Sequence, residues 1–262
     1  MSRISKRFLT RAKPKLRQYQ KLFESARARD VNESDTCVIV SDFLQDILGY
    51  DKYAEVTTEF AIRSTFCDLA IRVDGHLQYL IEVKSVGTEL KDSHIRQAVD
   101  YAANAGIDWV LLTNGIDWHA YRLRFEKPIQ HDEVFAVDLL DPAVKGSDLL
   151  ERFYMISKEA GGDAALTQFL QYKEATSRYV IAQLLLSDQS VHSLRRDLRK
   201  LFPGLRVDPE RVRDVIRNEV LKRDSMDGNR AATAEKLVRR AARQKAKDDV
   251  VSPVPPAATP SA

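Results

Sequence analysis

Apolar and polar positions alternate along two neighbouring runs of the chain, Phe66–Val73 and Leu77–Lys84. In the first run Leu69, Ile71 and Val73 share one face, and Asp68, Ala70 and Arg72 share the other. In the second, Leu77, Tyr79, Ile81 and Val83 oppose Gln78, Leu80, Glu82 and Lys84. A period of two marks a strand with two different sides. Asp74-Gly75 between the runs is a strong hairpin signal. Upstream, "NESDTCVIVSDFLQDILGYD" carries a helical stripe of Val38, Ile39, Phe43, Leu44, Ile47 and Leu48, ended by Gly49. Downstream, "KDSHIRQAVDYAANAG" predicts a second helix. Asp92 or Ser93 is its cap, Ile95, Ala98, Val99 and Ala102 its apolar stripe, and Gly106 its stop. "DWVLLTNG" and "DWHAYRLRF" predict two more strands around an Asn114-Gly115 turn, and "EVFAVDLL" a last one before Asp141-Pro142.

The hairpin register follows from burial. A three-residue loop, Asp74-Gly75-His76, pairs Val73 with Leu77, Ile71 with Tyr79 and Leu69 with Ile81, so that apolar meets apolar. A two-residue loop mixes the faces, and a slip of that kind is disfavoured. In the chosen register Asp68 lies opposite Glu82, with Lys84 two residues on and on the same side. Opposed side chains have Cβ atoms about 4.5–5.5 Å apart. Two carboxylates at that distance repel unless a proton or a cation compensates. A divalent cation does so, lowering the pKa of a bound water and stabilising charge on a phosphoryl group. Lys84 is placed to stabilise the same charge or position the water. The competing reading is a salt bridge between Lys84 and Glu82 or Asp68 on a solvated sheet face.

The ordered set around the hairpin shifts the balance toward the metal site. A helix carrying Glu33, a strand with Asp68, a strand with Glu82-Val83-Lys84 and a helix with Gln97-Ala98-Val99-Asp100-Tyr101 resembles the PD-(D/E)XK nuclease superfamily. More closely, the stretch from about Asn32 to Phe125 is similar to the N-terminal nuclease domain of type I restriction enzyme R subunits. "NE" opening the first helix, "LGYD" closing it, "EVKS", the Q-x-x-x-Y helix and "LLTNGIDWHAY" carry that likeness. The resemblance implies that Asp68 and Glu82 bind Mg²⁺ or Mn²⁺, with the Val83 carbonyl as a further ligand and Glu33 completing the site. It implies that Lys84 is the catalytic lysine, with Gln97 and Tyr101 beside it orienting the lysine or DNA. Cys67 stands where the superfamily loosely keeps a proline. The chain lacks the G-x-x-x-x-G-K-[ST] loop of the R-subunit motor, so no ATP is expected.

Composition adds limits. Of 262 residues, 44% are hydrophobic and 30% charged, as in a globular chain, and no apolar run reaches a membrane span. Two cysteines and no signal peptide predict a reducing cytoplasm. The five histidines show no close metal-ligand spacing, although His94 lies one turn before Gln97. There is no C-x-x-C pair, serine elbow or glycine-rich nucleotide motif. Net charge is only +3, but the first thirty residues oppose just Glu24 and Asp30 to a dense run of Lys and Arg. Beyond Pro14 they predict an amphipathic helix with Leu16, Tyr19 and Phe23 inward, either contacting DNA phosphates or simply packing on the core.

The expected architecture is α/β: a restriction-endonuclease-like core, a mixed central sheet flanked by helices, with an N-terminal basic helix and a C-terminal helical region. The divisions are a basic helix or arm at 1–30, the nuclease-like domain at 31–142, a helical region at 143–245 and a disordered Pro/Ala/Ser-rich tail at 246–262. In the helical region "SDLLERFYMIS" begins at a Ser147 or Asp148 cap, Gly161-Gly162 breaks the chain, and Asp208-Pro209-Glu210 starts a further helix. The expected function is Mg²⁺-dependent cleavage of DNA, alone, as a homo-oligomer or within a restriction-type complex. The alternative is a DNA- or partner-binding regulatory protein that keeps the nuclease fold without turnover.

Overall fold

The computed structural model describes residues 4–62 and 65–251. The chain divides into two compact units, Met1–Leu170 and Gln171–Ala262, a later boundary than residue 142.

The first unit is built on a six-stranded sheet in the order β1 (Val56–Ile62), β2 (Thr65–Val73), β3 (His76–Val83), β4 (Trp109–Thr113), β5 (Asp117–Arg124) and β6 (Gln130–Asp138). Every neighbouring pair is antiparallel except β3–β4, so the sheet is mixed. A parallel pair needs a crossover, and the amphipathic helix Asp92–Ala105 supplies it. β1 is a strand that the alternation reading did not pick out; its Thr57, Thr58 and Glu59 are exposed.

The hairpin turn has two residues, not three. Val73 pairs with His76 and Arg72 with Leu77, while Asp74 and Gly75 both take positive φ. That is the turn Asp-Gly prefers. The slip it would impose is absorbed by a bulge between Ile71 and Arg72, which leaves Gln78 unpaired and restores Ile71–Tyr79 and Leu69–Ile81. One inserted residue therefore satisfies both the turn and the buried face.

Helices cover both faces. On one lie α1 (Lys6–Ala28), α2 (Glu33–Phe43), which continues as a wide π turn Leu44–Leu48, and the helix Gly146–Met155. On the other lies the crossover helix Asp92–Ala105, numbered α3, with Gly146–Met155 as α4. The first face holds the larger core: Phe43 of α2 and Phe153 of α4 pack on Trp118, Tyr19 and Phe23 of α1 pack on Phe43, and Phe8 of α1 meets Tyr154 of α4. The α3 face is smaller, with Ile95, Ala98, Val99 and Ala102 against Ala70, Leu80, Val110 and Leu112. In α2 the buried positions are Thr36, Val40, Ser41 and Phe43, whereas Val38 is exposed, because the helix turns its 36–40–43 edge to the sheet.

α1 starts ahead of Pro14 and runs through it. The helix survives because buried side chains anchor both sides, Phe8 and Ala12 before the proline and Leu16 after it. Arg11 adds a clamp, pairing with Glu159 and donating to the Ile47 carbonyl at 3.1 Å. The helix starts at α3 and α4 each fall earlier than expected, with Lys91 and Lys145 at the cap positions. At α3 the Lys91 N–H is taken by His94 Nδ1 at 3.3 Å, so neither Asp92 nor Ser93 caps.

A helix at Asp163–Ala175 (α5) begins after Gly161 and Gly162, both at positive φ. The second unit then contains α6 (Arg178–Leu185), α7 (Asp188–Leu201), α8 (Pro209–Val215) and α9 (Gly228–Val251). Its small core is Val191, Val212 and Ile216. Asp208 caps α8 with Pro209 in the first turn, as the sequence predicts. α9 continues to Val251, past the expected start of the tail at 246; the remainder of the tail, 252–262, lies outside the described residues.

Gly115 turns the β4–β5 connection at φ 87° against the Phe23 ring, and a Cβ there would overlap that ring. Gly115→Ala should cost about 2 kcal/mol or more in chemical denaturation. Combined with Phe23→Ala, the pair should cost less than the sum of the two single changes, which a double-mutant cycle measures.

Candidate active site

β3 ends at Val83, and the site is built where its two ladders part. On one side β3 stays paired with β4 through Glu82–Leu112 and Val83–Thr113, and Lys84 N–H donates to the Thr113 carbonyl at 2.8 Å. On the other side the β2 ladder runs to Leu69–Ile81. Beyond it the Val83 N–H would lack a partner, and the Asp68 carboxylate accepts it at 2.7 Å. Asp68 thus replaces a strand carbonyl, and the register carries it opposite Glu82.

Glu82 is almost fully buried, at 1% exposure. Its Oε1 accepts from Lys84 Nζ at 2.7 Å. Its Oε2 is buried with no hydrogen-bond partner among the described residues. Glu33, in the first turn of α2, stands 3.5 Å from the same Lys84 ammonium and is half-exposed. Asn32 caps that helix, its side chain accepting from Asp35 N–H at 2.9 Å. One turn on, Thr36 Oγ1 accepts from Val86 N–H at 3.1 Å and ties the helix to the segment after Lys84. The structure therefore brings together Asp68, Glu82, Lys84 and Glu33. The competing salt-bridge reading of the sequence finds its contact, Lys84 on Glu82, but in the interior and not on a solvated face.

The charges respond to this setting. Burial pushes the Glu82 carboxyl up to about 7, with Asp68 and Glu33 raising it further and the Lys84 bond only partly offsetting them. Burial also raises Asp68, against the lowering effect of the Val83 hydrogen bond and Lys84. For Lys84 burial acts to lower the pKa, yet its bond to Glu82 and the fields of Glu33 and Asp68 win, and it is raised. Three carboxylates around one ammonium leave the site short of positive charge.

Gln97 and Tyr101 occupy one exposed edge of α3, and Gln97 Nε2 donates to the Tyr101 hydroxyl at 2.9 Å. Among the described residues no hydrogen bond or ion pair joins either to Asp68, Glu82 or Lys84. Thr36 and Cys37 are neighbours that the sequence reading missed; burial and the nearby Asp68 and Glu33 push the Cys37 thiol up to about 12. Their signal was their spacing, three and four residues beyond Glu33 on the same helix edge. A cavity of about 390 Å³ lies elsewhere, at the hairpin end of β3, lined in part by His76, Gln78, Asp108 and Gly162.

Residues 39–134 match the family of the type I restriction enzyme R protein N terminus (HSDR_N). The chain resembles that R-protein domain from the second turn of α2 to the middle of β6. Asp68, Glu82, Val83, Lys84, Gln97 and Tyr101 fall inside the matched stretch, and Glu33 falls before it. No curated protein and no solved structure matches the chain. Among the described residues no group of three His, Cys, Asp or Glu side chains is gathered to hold a metal ion, and no helix is long and apolar enough to cross a membrane. The oxygen donors that the geometry brings together are the Asp68 and Glu82 carboxylates, with Glu33 at the Lys84 ammonium. Such hard donors, with waters, suit Mg²⁺, and the unpartnered Glu82 Oε2 is a buried acceptor that a cation would satisfy.

The raised Glu82 carboxyl links stability to pH. Its folded value near 7 exceeds the ordinary 4.5, so the folded state holds its proton more tightly. Stability contributed in this way is present below about pH 4.5 and is lost as pH rises through 7. Glu82→Gln should remove the loss. In metal-free urea titrations the variant should match the parent near pH 4.5 and exceed it at pH 8 by on the order of 2–3 kcal/mol.

Proposed function

We propose that this protein is a divalent-metal-dependent nuclease of the PD-(D/E)XK kind that hydrolyses DNA phosphodiester bonds. The observation that carries the reading is Glu82: a carboxylate buried in the sheet with one oxygen unsatisfied, beside Asp68 and Lys84. A structural role would favour an apolar residue at that position. The likeness of residues 39–134 to the R-protein N terminus supports the same reading.

In this reading Asp68, Glu82 and the Val83 carbonyl hold Mg²⁺ or Mn²⁺, and Glu33 adds negative charge at the rim. The bound ion supplies water activation and charge stabilisation at the phosphate. Lys84 contributes the remaining positive charge. Its ammonium is held by Glu82 and Glu33 and is raised in pKa, so it stays protonated through neutral pH and acts as an electrostatic donor to the phosphate. Gln97 and Tyr101 form a hydrogen-bonded pair that would position DNA beside it. Cytoplasmic location, a homo-oligomer and assembly into a restriction-type complex belong to the same proposal.

The test uses purified protein with plasmid, linear and single-stranded DNA in Mg²⁺ or Mn²⁺, with EDTA as control. Cleavage should need metal and fall by about 10²-fold or more in Glu82→Ala and Lys84→Ala. Mg²⁺ should also raise the melting temperature of the parent and leave Glu82→Gln unshifted. Metal-dependent cleavage that survives Glu82→Ala would overturn the assignment.

A second reading, a nucleic-acid-binding protein without turnover, draws on α1. Lys13, Arg17 and Lys21 lie four residues apart on its exposed side, so they repeat every 6 Å or so. None forms an ion pair among the described residues. They match a polyanion in spacing and sign. Because the inner face of α1 is core, the informative change is charge removal and not deletion. Lys13→Gln, Arg17→Gln and Lys21→Gln together should weaken DNA binding and make its salt dependence shallower by roughly two to three in log–log slope, with melting unchanged. An unaltered slope would remove α1 from the interface.

A further inference from the structure

On the α3 face, one row of paired residues crosses the sheet from the candidate site. Glu82 on β3 pairs with Leu112 on β4, and Leu112 pairs with His119 on β5. Paired positions share a face, and strands lie about 4.8 Å apart, so His119 stands about 10 Å across the sheet from Glu82. α3 packs its apolar stripe over Leu80, Val110 and Leu112. At the β5–β6 end of the same face, His131 and Glu133 are exposed and His119 and Tyr121 are partly exposed.

That open end carries rings. His119 and Tyr121 stand parallel, with centroids 6.1 Å apart and planes within 7°. His131 on β6 meets Tyr121 edge-on at 5.8 Å. The Tyr121 hydroxyl and His119 Nδ1 are 3.4 Å apart, and Glu133 Oε2 lies 3.4 Å from the same nitrogen. A solvent-facing sheet surface ordinarily reads as small or charged polar residues. Three planar rings in one array expose π-surface, and π-surface on an open sheet suits stacking of nucleobases.

We propose that His119, Tyr121 and His131 form a stacking platform for unpaired bases of the nucleic-acid strand whose phosphate occupies the Asp68–Glu82–Lys84 site. The inference rests on the nuclease reading for its phosphate and names the substrate class: a single strand, or a duplex frayed at the cut. The charges agree on orientation. Glu133 beside His119 and Asp92 near Tyr121 disfavour phosphate over the platform, while Lys84 favours it at the other end of the row. Bases therefore turn toward the rings.

The probe is a fluorescein-labelled oligothymidylate of about 12 nucleotides, bound in EDTA and followed by anisotropy, so that no cleavage is required. Tyr121→Ala with His131→Ala should weaken binding about tenfold or more, and Tyr121→Phe should retain it. An abasic oligonucleotide of equal length should bind the parent as weakly as the double variant, and blunt duplex should bind both alike. Thermal melting checks the fold, and His131→Ala alone, at an exposed position, should show part of the loss if the double variant is unstable. Equal affinity for abasic and normal strands, or an equal loss on duplex, would overturn the platform. The two ideas separate cleanly: metal-dependent cleavage with no base dependence keeps the nuclease and removes the platform. Base-dependent binding without cleavage does the reverse.

Discussion

The Val83 N–H lies where β2 has ceased to pair, and the solution found for that one donor organises the site. A buried backbone donor without an acceptor costs about as much as a lost hydrogen bond. Asp68 supplies the acceptor from its side chain at 2.7 Å. This fixes the carboxylate on the face of β3 that also carries Glu82, while the intact β4 ladder on the other side holds Glu82 rigidly in place. A position required by the backbone is therefore also the position that brings two acids together. The two acids are ordered by main-chain needs and do not depend on a loop.

The cost of that arrangement concentrates in Glu82. An isolated buried carboxylate is far more expensive than a buried hydroxyl, and Lys84 satisfies only one of its oxygens. Glu33 does not help Glu82 directly; it competes for the same ammonium from the helix end. Its presence makes sense if additional positive charge enters the site, since three acids around one lysine are otherwise in deficit. Burial pushes the neighbouring Cys37 and Cys67 thiols up to about 12, and these acids add to the rise.

How far the sequence revealed this differs from element to element. The hairpin faces, the Asp68–Glu82 juxtaposition and the crossover helix were legible because burial imposes a strict period on them. The turn was misread because face-matching and turn chemistry demanded different loop lengths, and a bulge reconciles them in a way that periodicity cannot encode. β1 stayed hidden because an edge strand with exposed Thr57, Thr58 and Glu59 shows no apolar alternation. α1 was legible as amphipathic, but Pro14 marked a false start; burial of Phe8 and Ala12 ahead of it outweighs the missing hydrogen bond. The ring array on β5 and β6 could not be seen at all, since it depends on the pairing of residues in register across strands.

The stretch that resembles the R-protein N terminus does not contain the whole of the core it contributes to. It begins at residue 39 and ends at 134, leaving α1, the start of α2, and α4 outside. Yet Phe8, Leu16, Tyr19 and Phe23 of α1 and Phe153 of α4 fill the larger core, and each fully buried aromatic is worth roughly 1.5–3 kcal/mol of burial. They share that core with Val40 and Phe43 of α2 and Leu44 of its π turn, α2 itself packing on β2 and β3, and with Trp118, Ile81 and Val83 of the sheet. Ile81 and Val83 flank Glu82 in β3 and belong to that core, while the Glu82 side chain lies on the opposite, α3 face with Leu80 and Leu112. The basic helix α1 therefore helps to hold the sheet that carries Glu82 from the far side of that sheet.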